Sequence, residues 1–187
     1  TAQQYERAAS LICECDLIRR QENIPGGEIS IGLWVGSEVT PNHVVSDNPD
    51  LESAETILNK LQSGLIDEVK SSPVQLSACP YCGEALEPQN AYSIHNRHFK
   101  TYCPNQDCPF HKDLPVITVD DDIYDRKPTL LIGTIDKFAR LAWEEKTKSI
   151  FAEDGIGLPP DLLIQDELHL ISGPLGSISG LYEIAIE

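Results

Sequence analysis

Apolar residues recur at spacings of three and four over residues 4–20, placing Tyr5, Ala8, Ile12 and Cys15 on one side of a predicted helix. Pro25, Gly26 and Gly27 end that pattern. Ile29, Ile31, Leu33 and Val35 then alternate with Ser30, Gly32, Trp34 and Gly36, the period-two signature of a strand. The alternating positions are small or aromatic rather than charged, so this strand is expected to be buried on both faces, as in a parallel sheet. After a loop over residues 39–48, Asn48 and Pro49 are expected to open a helix as its cap and first residue. Leu51, Ala54, Leu58, Leu61 and Leu65 supply its apolar stripe, which fades into Ser71, Ser72 and Pro73.

Residues 74–115 have no long periodic segment and are rich in cysteine pairs, Asn, Gln and Pro. A charged connector is expected over residues 120–127, and a short buried strand over 129–134. A helix carrying Ile135, Phe138, Leu141, Ala142 and Trp143 follows and ends near Ser149. Gly155, Gly157, Pro159 and Pro160 turn the chain into a strand over 161–165, where Leu162, Leu163 and Ile164 form an apolar run. A loop over residues 172–176 and a helix over 177–186 complete the pattern. Strands alternating with helices favour an α/β fold with a parallel sheet. The expected organisation is two parts of one α/β domain, residues 1–73 and 116–187, interrupted by a small subdomain at 74–115.

Charge narrows the range of partners. Fourteen Lys and Arg stand against thirty Asp and Glu, a formal net charge of −16. That balance argues against a general polyanion-binding surface, while leaving room for a local basic patch. No run approaches the roughly 20 apolar residues of a membrane helix, and no basic-then-apolar leader opens the chain. A cytoplasmic protein without membrane contact is expected. The first residue is Thr1, methionine is absent, and the helical pattern runs to Glu187, so the chain reads as a piece of a longer protein.

The cysteines change the picture most. Cys79 and Cys82 form one knuckle and Cys103 and Cys108 a second, wider one. Four thiolates in two local pairs suit tetrahedral Zn²⁺ in a closed structural site, with no coordination position left for water. An insert of about 40 residues has too little apolar surface to fold unaided, so a metal staple has a physical purpose. An iron–sulfur centre and unpaired or redox cysteines are the alternatives, and His111 is a substitute ligand. Between the knuckles lie His95, Arg97, His98 and Lys100 with Tyr92, Phe99 and Tyr102. This basic–aromatic patch either contacts nucleic acid or forms a hairpin whose rings cover the metal.

The second chemical feature is Asp166-Glu167-Leu168-His169, directly after the apolar run. Acids at the carboxyl end of a parallel strand sit where open α/β sheets place chemistry. In nucleotide hydrolysis one carboxylate directs Mg²⁺ and a second polarises the attacking water. Asp166 and Glu167 are candidates for those roles, with His169 coupling the site to a neighbouring domain. The plain alternative is that the acids cap a turn and His169 is a surface residue.

Three stretches, Gly26 to Gly36, Leu130 to Ala139, and Gln165 to His169 continuing to Gly176, together resemble the first RecA-like domain of superfamily 2 helicases. More narrowly, they resemble the large helicase-like ATPases of the DISARM antiphage defence system. That resemblance implies a partial RecA-like parallel sheet of the P-loop NTPase type with a zinc-ribbon-like insert. It places Asp166 to His169 on the DExH motif II and Thr134 on the threonine-containing motif that meets a nucleic-acid strand. It implies Mg²⁺ and ATP as cofactors, DNA or RNA as substrate, and other subunits of a defence complex as partners. These 187 residues contain no G-x-x-x-x-G-K-[ST] phosphate loop. The resemblance puts that loop before Thr1 and the arginine finger with a second motor domain after Glu187. The expected function is therefore an ATP-dependent DNA helicase or translocase in the parent, with the chain inactive by itself. The alternative is a zinc-ribbon nucleic-acid-binding or protein-interaction module on an inactive α/β scaffold.

Overall fold

A computed structural model describes residues 2–48, 50–138, 145–152 and 155–166. The chain forms two compact units, Thr1–Ile132 and Gly133–Glu187.

The first unit begins with helix α1, Ala2–Gln21. Its inner face is Tyr5, Ala9, Ile12, Cys13 and Asp16, with Ala8 and Cys15 only half-buried. The stripe is thus turned slightly from the one expected, because its lower end is a buried acid rather than an apolar residue. Asp16 is fully buried and held by Arg19 and Arg20, three and four positions further along the helix. It also accepts the Ile29 amide at 3.0 Å, which ties the end of α1 to the start of the next strand. Arg19 and Arg20 further suit the negative end of the helix dipole.

Strand β1, Ile31–Trp34, is buried at every position, as its small and aromatic alternation predicts. It pairs in parallel with β4, Val116–Ile117, in the register Ile31↔Val116 and Gly32↔Ile117. Strand β5, Leu130–Gly133, lies on the other side, giving the order β4-β1-β5. Gly32 is required by this closeness: a Cβ there would stand 2.7 Å from Pro128 Cγ and 2.9 Å from Leu131 Cδ1. β5 is less covered than expected, with Leu130 exposed and its neighbours half-buried.

Helix α2 is Ala54–Gln62 and starts later than Asn48 and Pro49 suggest. Asn48 Oδ1 instead accepts the Asp50 amide at 3.0 Å, a local turn that competes with helix initiation. Ser53 is the actual cap, accepting from the Thr56 amide. The helix ends in a Schellman motif: Gly64 has φ of +80°, its amide reaches Leu61 O, and the Leu65 amide reaches Lys60 O. Leu51 and Leu65 therefore flank the helix and are exposed.

The residues expected to form a charged connector form helix α3, Asp120–Arg126. Three acids in its first turn suit the positive end of the dipole, while Ile123 and Tyr124 face the core. Tyr124 also meets buried Trp34 edge-on at 6.2 Å and accepts its indole N–H at 3.2 Å, which makes Trp34 a packing residue. Lys127, in the left-handed region at φ of 49°, stops the helix before Pro128.

In the second unit, α4 covers Ile135–Phe138 and a 3-10 segment covers Glu145–Phe151. Lys137 is buried. Residues 161–165, expected to form a strand, have no strand pairing among the described residues, and Leu162, Leu163 and Ile164 are exposed. An apolar run becomes a buried strand only where hydrogen-bonded neighbours flank it, and none does so among the described residues. The centre of the helix expected to reach Ser149, including Trp143, and the helix over 177–186 lie outside the described residues. Among the described residues, no helix is long and apolar enough to cross a membrane.

Candidate metal centre

The cysteine-rich segment lies in the crossover between β1 and β4 and builds its cluster from local turns. Ala78 bridges Ala85, the Cys79 amide donates to Glu84 O at 2.7 Å, and the Gly83 amide returns to Cys79 O at 2.9 Å. Gly83 has φ of +77°, so the tight return at this knuckle favours glycine. In the second knuckle Asn105 organises the turn. Its side chain accepts the Asp107 amide and its carbonyl accepts the Cys108 amide. The Cys103 amide donates to Phe110 O, closing that knuckle onto a buried ring.

These turns bring Cys79, Cys82, Cys103 and Cys108 together, with their four Sγ atoms all within 4.8 Å of one another. Cys79 and Cys108 are separated by 4.0 Å and Cys82 and Cys103 by 3.5 Å. Zn–S bonds of about 2.3 Å in a tetrahedron require sulfurs about 3.8 Å apart, a value these two spacings bracket. The cluster is therefore a four-thiol set that can hold one metal ion. His111 is not a member, and its amide donates to Cys108 O. Burial raises the Cys108 thiol to about 11 and pushes Cys103 further up, against an opposing backbone hydrogen bond in each case. At Cys82 burial also acts upward, but hydrogen bonds from the Glu84 backbone and the neighbouring cysteines bring the thiol below its ordinary value. Metal binding displaces the protons from such thiols and makes affinity pH-dependent.

Around the cluster the packing is continuous with the sheet. Tyr5, Ala9, Ile12 and Cys13 of α1 share one apolar core with Ile31, Leu33, Cys79, Leu86, Tyr92, Phe99, Cys108, Phe110 and Val116. Cys13 is fully buried close enough to Cys79 and Cys108 to feel their charge. Burial first, then those neighbours, push its thiol up to about 12. The Arg20 guanidinium lies 5.3 Å over the Phe110 ring, and Tyr81 meets that ring edge-on at 5.5 Å.

Between the knuckles, β2, Tyr92–His95, and β3, His98–Thr101, form an antiparallel hairpin. Asn96 and Arg97 both have positive φ, 51° and 63°, as a two-residue type I′ turn requires. The basic–aromatic patch is largely consumed inside the fold. Tyr92 and Phe99 are buried and stacked at 5.8 Å, and the Tyr92 hydroxyl donates to Leu76 O at 2.6 Å. Lys100 pairs with Asp113. His98 Nδ1 lies 2.7 Å from Asp122 Oδ1, and the Phe99 amide donates to the other Asp122 oxygen at 2.9 Å. Burial raises the Asp122 carboxyl above its usual range, with the hydrogen bonds from His98 and Phe99 pulling the other way. His95 and Arg97 remain exposed at the tip. Tyr92 and Phe99 are thus committed to packing within the fold, as the covering-hairpin alternative expects.

Of the other expected site residues, Thr134 and Asp166 lie among the described residues. Asp166 is exposed at the end of the described stretch 155–166. Glu167 and His169 lie outside the described residues. Thr134 precedes α4, and its carbonyl accepts the Lys137 amide at 3.0 Å. Its hydroxyl oxygen is buried without a hydrogen-bond partner among the described residues. An open cleft of about 590 Å³ beyond β1 is lined by Glu38, His43, Glu52 and Lys70 among others. Its charges are partly committed, with Glu52 on Lys60 and His43 on Asp121.

Asp16, Cys13, Phe110 and Asp122 support the metal centre and were not anticipated. The Asp16–Arg19–Arg20 spacing is a readable helix-surface pattern. Nothing local marks Asp122 as the partner of a hairpin 23 residues earlier.

No protein-family profile matches the chain. Along its whole length it is similar to the DISARM protein DrmA of Bacillus paralicheniformis, 35% identical over 224 aligned positions, and it spans 20% of that protein.

Proposed function

We propose that the chain is a metal-stapled α/β module of a DrmA-like phage-defence protein, serving as a scaffold for interaction rather than as a hydrolytic centre in itself. The observation that carries this reading is the four-cysteine cluster, whose sulfur spacings suit one tetrahedral ion and whose surroundings share a core with α1 and β1. The similarity to DrmA over the full chain supports the defence assignment. The ion is Zn²⁺: four thiolates leave no open position, so its role is structural. The chain's net charge of −16 and the pairing of His98 and Lys100 with acids favour a protein partner, another defence subunit, over a nucleic-acid backbone. Such a module works in the cytoplasm. Elemental analysis of the purified chain is expected to find about one zinc per molecule, and a folded metal-free chain overturns the reading. Mixing with labelled single- and double-stranded DNA or RNA is expected to show no binding at physiological salt, and tight binding shifts the assignment to a nucleic-acid module.

A second reading rests on the order of Thr134 and Asp166-Glu167-Leu168-His169 after a parallel sheet. Here the chain is part of a RecA-like motor, with Asp166 directing Mg²⁺ of bound ATP, Glu167 activating water, His169 coupling to a second motor domain, and Thr134 meeting a nucleic-acid phosphate. The phosphate-gripping loop comes from outside these residues. DNA-stimulated ATP hydrolysis by the longer parent, abolished by Glu167→Gln, establishes this reading. Absence of a phosphate loop from the parent removes it.

A further inference from the structure

The four cysteines of the cluster are not equivalent in access. Cys79, Cys103 and Cys108 are 3%, 1% and 6% exposed, whereas Cys82 is exposed to solvent. Cys82 also belongs to the closer sulfur pair, 3.5 Å from Cys103, compared with 4.0 Å between Cys79 and Cys108. The remaining cysteines offer no comparable route: Cys13 is sealed in the core and Cys15 is half-buried on α1. One sulfur thus faces the solvent and has a buried neighbour at short range.

We propose that the cluster is a peroxide-responsive metal latch, in which Cys82 is the attacked thiolate and Cys103 the resolving one. This rests on the zinc reading given above. The Cys82 sulfur attacks the O–O bond of a hydroperoxide, here hydrogen peroxide. That bond breaks, hydroxide leaves, and Cys82 becomes a sulfenic acid. The Cys103 thiolate then attacks the Cys82 sulfur, an S–S bond forms and a second hydroxide leaves. Two protons from solvent convert the two hydroxides to water. In sum, two thiolates lose two electrons and one hydrogen peroxide is reduced to two waters. Two of the four donors are then gone, and Cys79 with Cys108 is left as a bidentate site too weak to retain the ion. Because the cluster shares its core with α1 and β1, release of the ion loosens that core. Oxidation at one surface sulfur therefore reaches the sheet.

The test uses the zinc-loaded chain. Metal content is measured first; hydrogen peroxide is then added with a chromophoric chelator present, and the products are mapped by mass spectrometry under non-reducing conditions. The expected result is release of one zinc per chain with a Cys82–Cys103 disulfide, reversed by a thiol reductant and added zinc. Cys82→His keeps a metal-binding Cys₃His set and is expected to retain zinc while losing the peroxide response. Cys15→Ser is expected to respond as the unaltered chain does. A chain that holds no zinc overturns the structural-zinc reading and the latch with it. A zinc-loaded chain that keeps its ion in peroxide, or releases it with a disulfide that omits Cys82, overturns the latch alone.

Discussion

Two apolar runs of similar composition have opposite fates. Ile31–Trp34 is buried at every position between β4 and β5. Leu162, Leu163 and Ile164 are exposed and pair with no strand among the described residues. Side-chain hydrophobicity is the same in kind; the difference is whether neighbouring strands satisfy the backbone polar groups on both edges. β1 has those neighbours because the cysteine-rich crossover returns the chain to its side at β4. The lesson is that an apolar run followed by acids marks a strand end only where neighbouring strands pair with it.

On the proposed zinc reading, the strongest way to break the contrast is to remove the metal. Structural zinc in small sites contributes about 10–16 kcal/mol of apparent binding free energy, which is folding energy. A strong chelator is expected to unfold residues 74–115 and cost β1 its packing, seen as lost amide protection at Ile31 and Leu33. Acidification is expected to act in the same direction. The Cys103 and Cys108 thiols hold protons tightly in the metal-free fold, so falling pH favours protons over the ion. Next in size, Leu33→Ala should lower the unfolding free energy by about 2–5 kcal/mol, the range for a buried Leu. Ile164→Ala, in the exposed run, should stay within about 0.5 kcal/mol. Denaturant titrations of the two variants side by side measure the contrast, and equal losses would remove it.

Asp16→Asn tests how β1 is delivered to the sheet. The acid joins two arginines and the Ile29 amide, and hydrogen bonds to a charged group are worth about 1.5–3 kcal/mol. Because Arg19 and Arg20 are partly open to water and regain solvation, a loss of about 2 kcal/mol is expected, read by thermal or denaturant unfolding. The smallest effect has the opposite sign. Arg97 occupies a left-handed position at φ of 63° in a turn that prefers glycine. Arg97→Gly should gain about 0.5–1 kcal/mol in unfolding experiments without changing metal content.

The legible parts of the molecule were those written in short sequence range. The α1 helix, both-sided burial of β1 and the two cysteine knuckles could be read because spacing alone carries them. Cys79 and Cys82, or Cys103 and Cys108, need only one turn each to converge. α3 was misread as a connector because its acids hide the inward-facing Ile123 and Tyr124. The start of α2 was misplaced because Asn48 makes a turn with the same side-chain chemistry that caps helices. Asp122 was invisible because its partners, His98 and the Phe99 amide, come from another element. The aromatic residues of the hairpin looked available for stacking on bases, but sequence does not report that Tyr92 and Phe99 stack on each other.

The long crossover between β1 and β4 has a consequence for how the chain finds its fold. Residues 35–115 separate two strands that lie side by side. Treated as a polymer loop, a bridge between Cys79 and Cys108 shortens the segment from about 80 to about 50 residues, a closure-entropy gain of only about 0.4 kcal/mol. An ion held by the proposed site therefore matters little as a tether. Its effect is to turn the middle of the crossover into a preassembled body on which the strands converge. Pairing between residues so far apart in sequence is slow, and refolding is expected to accelerate when metal is supplied before the denaturant is diluted rather than after.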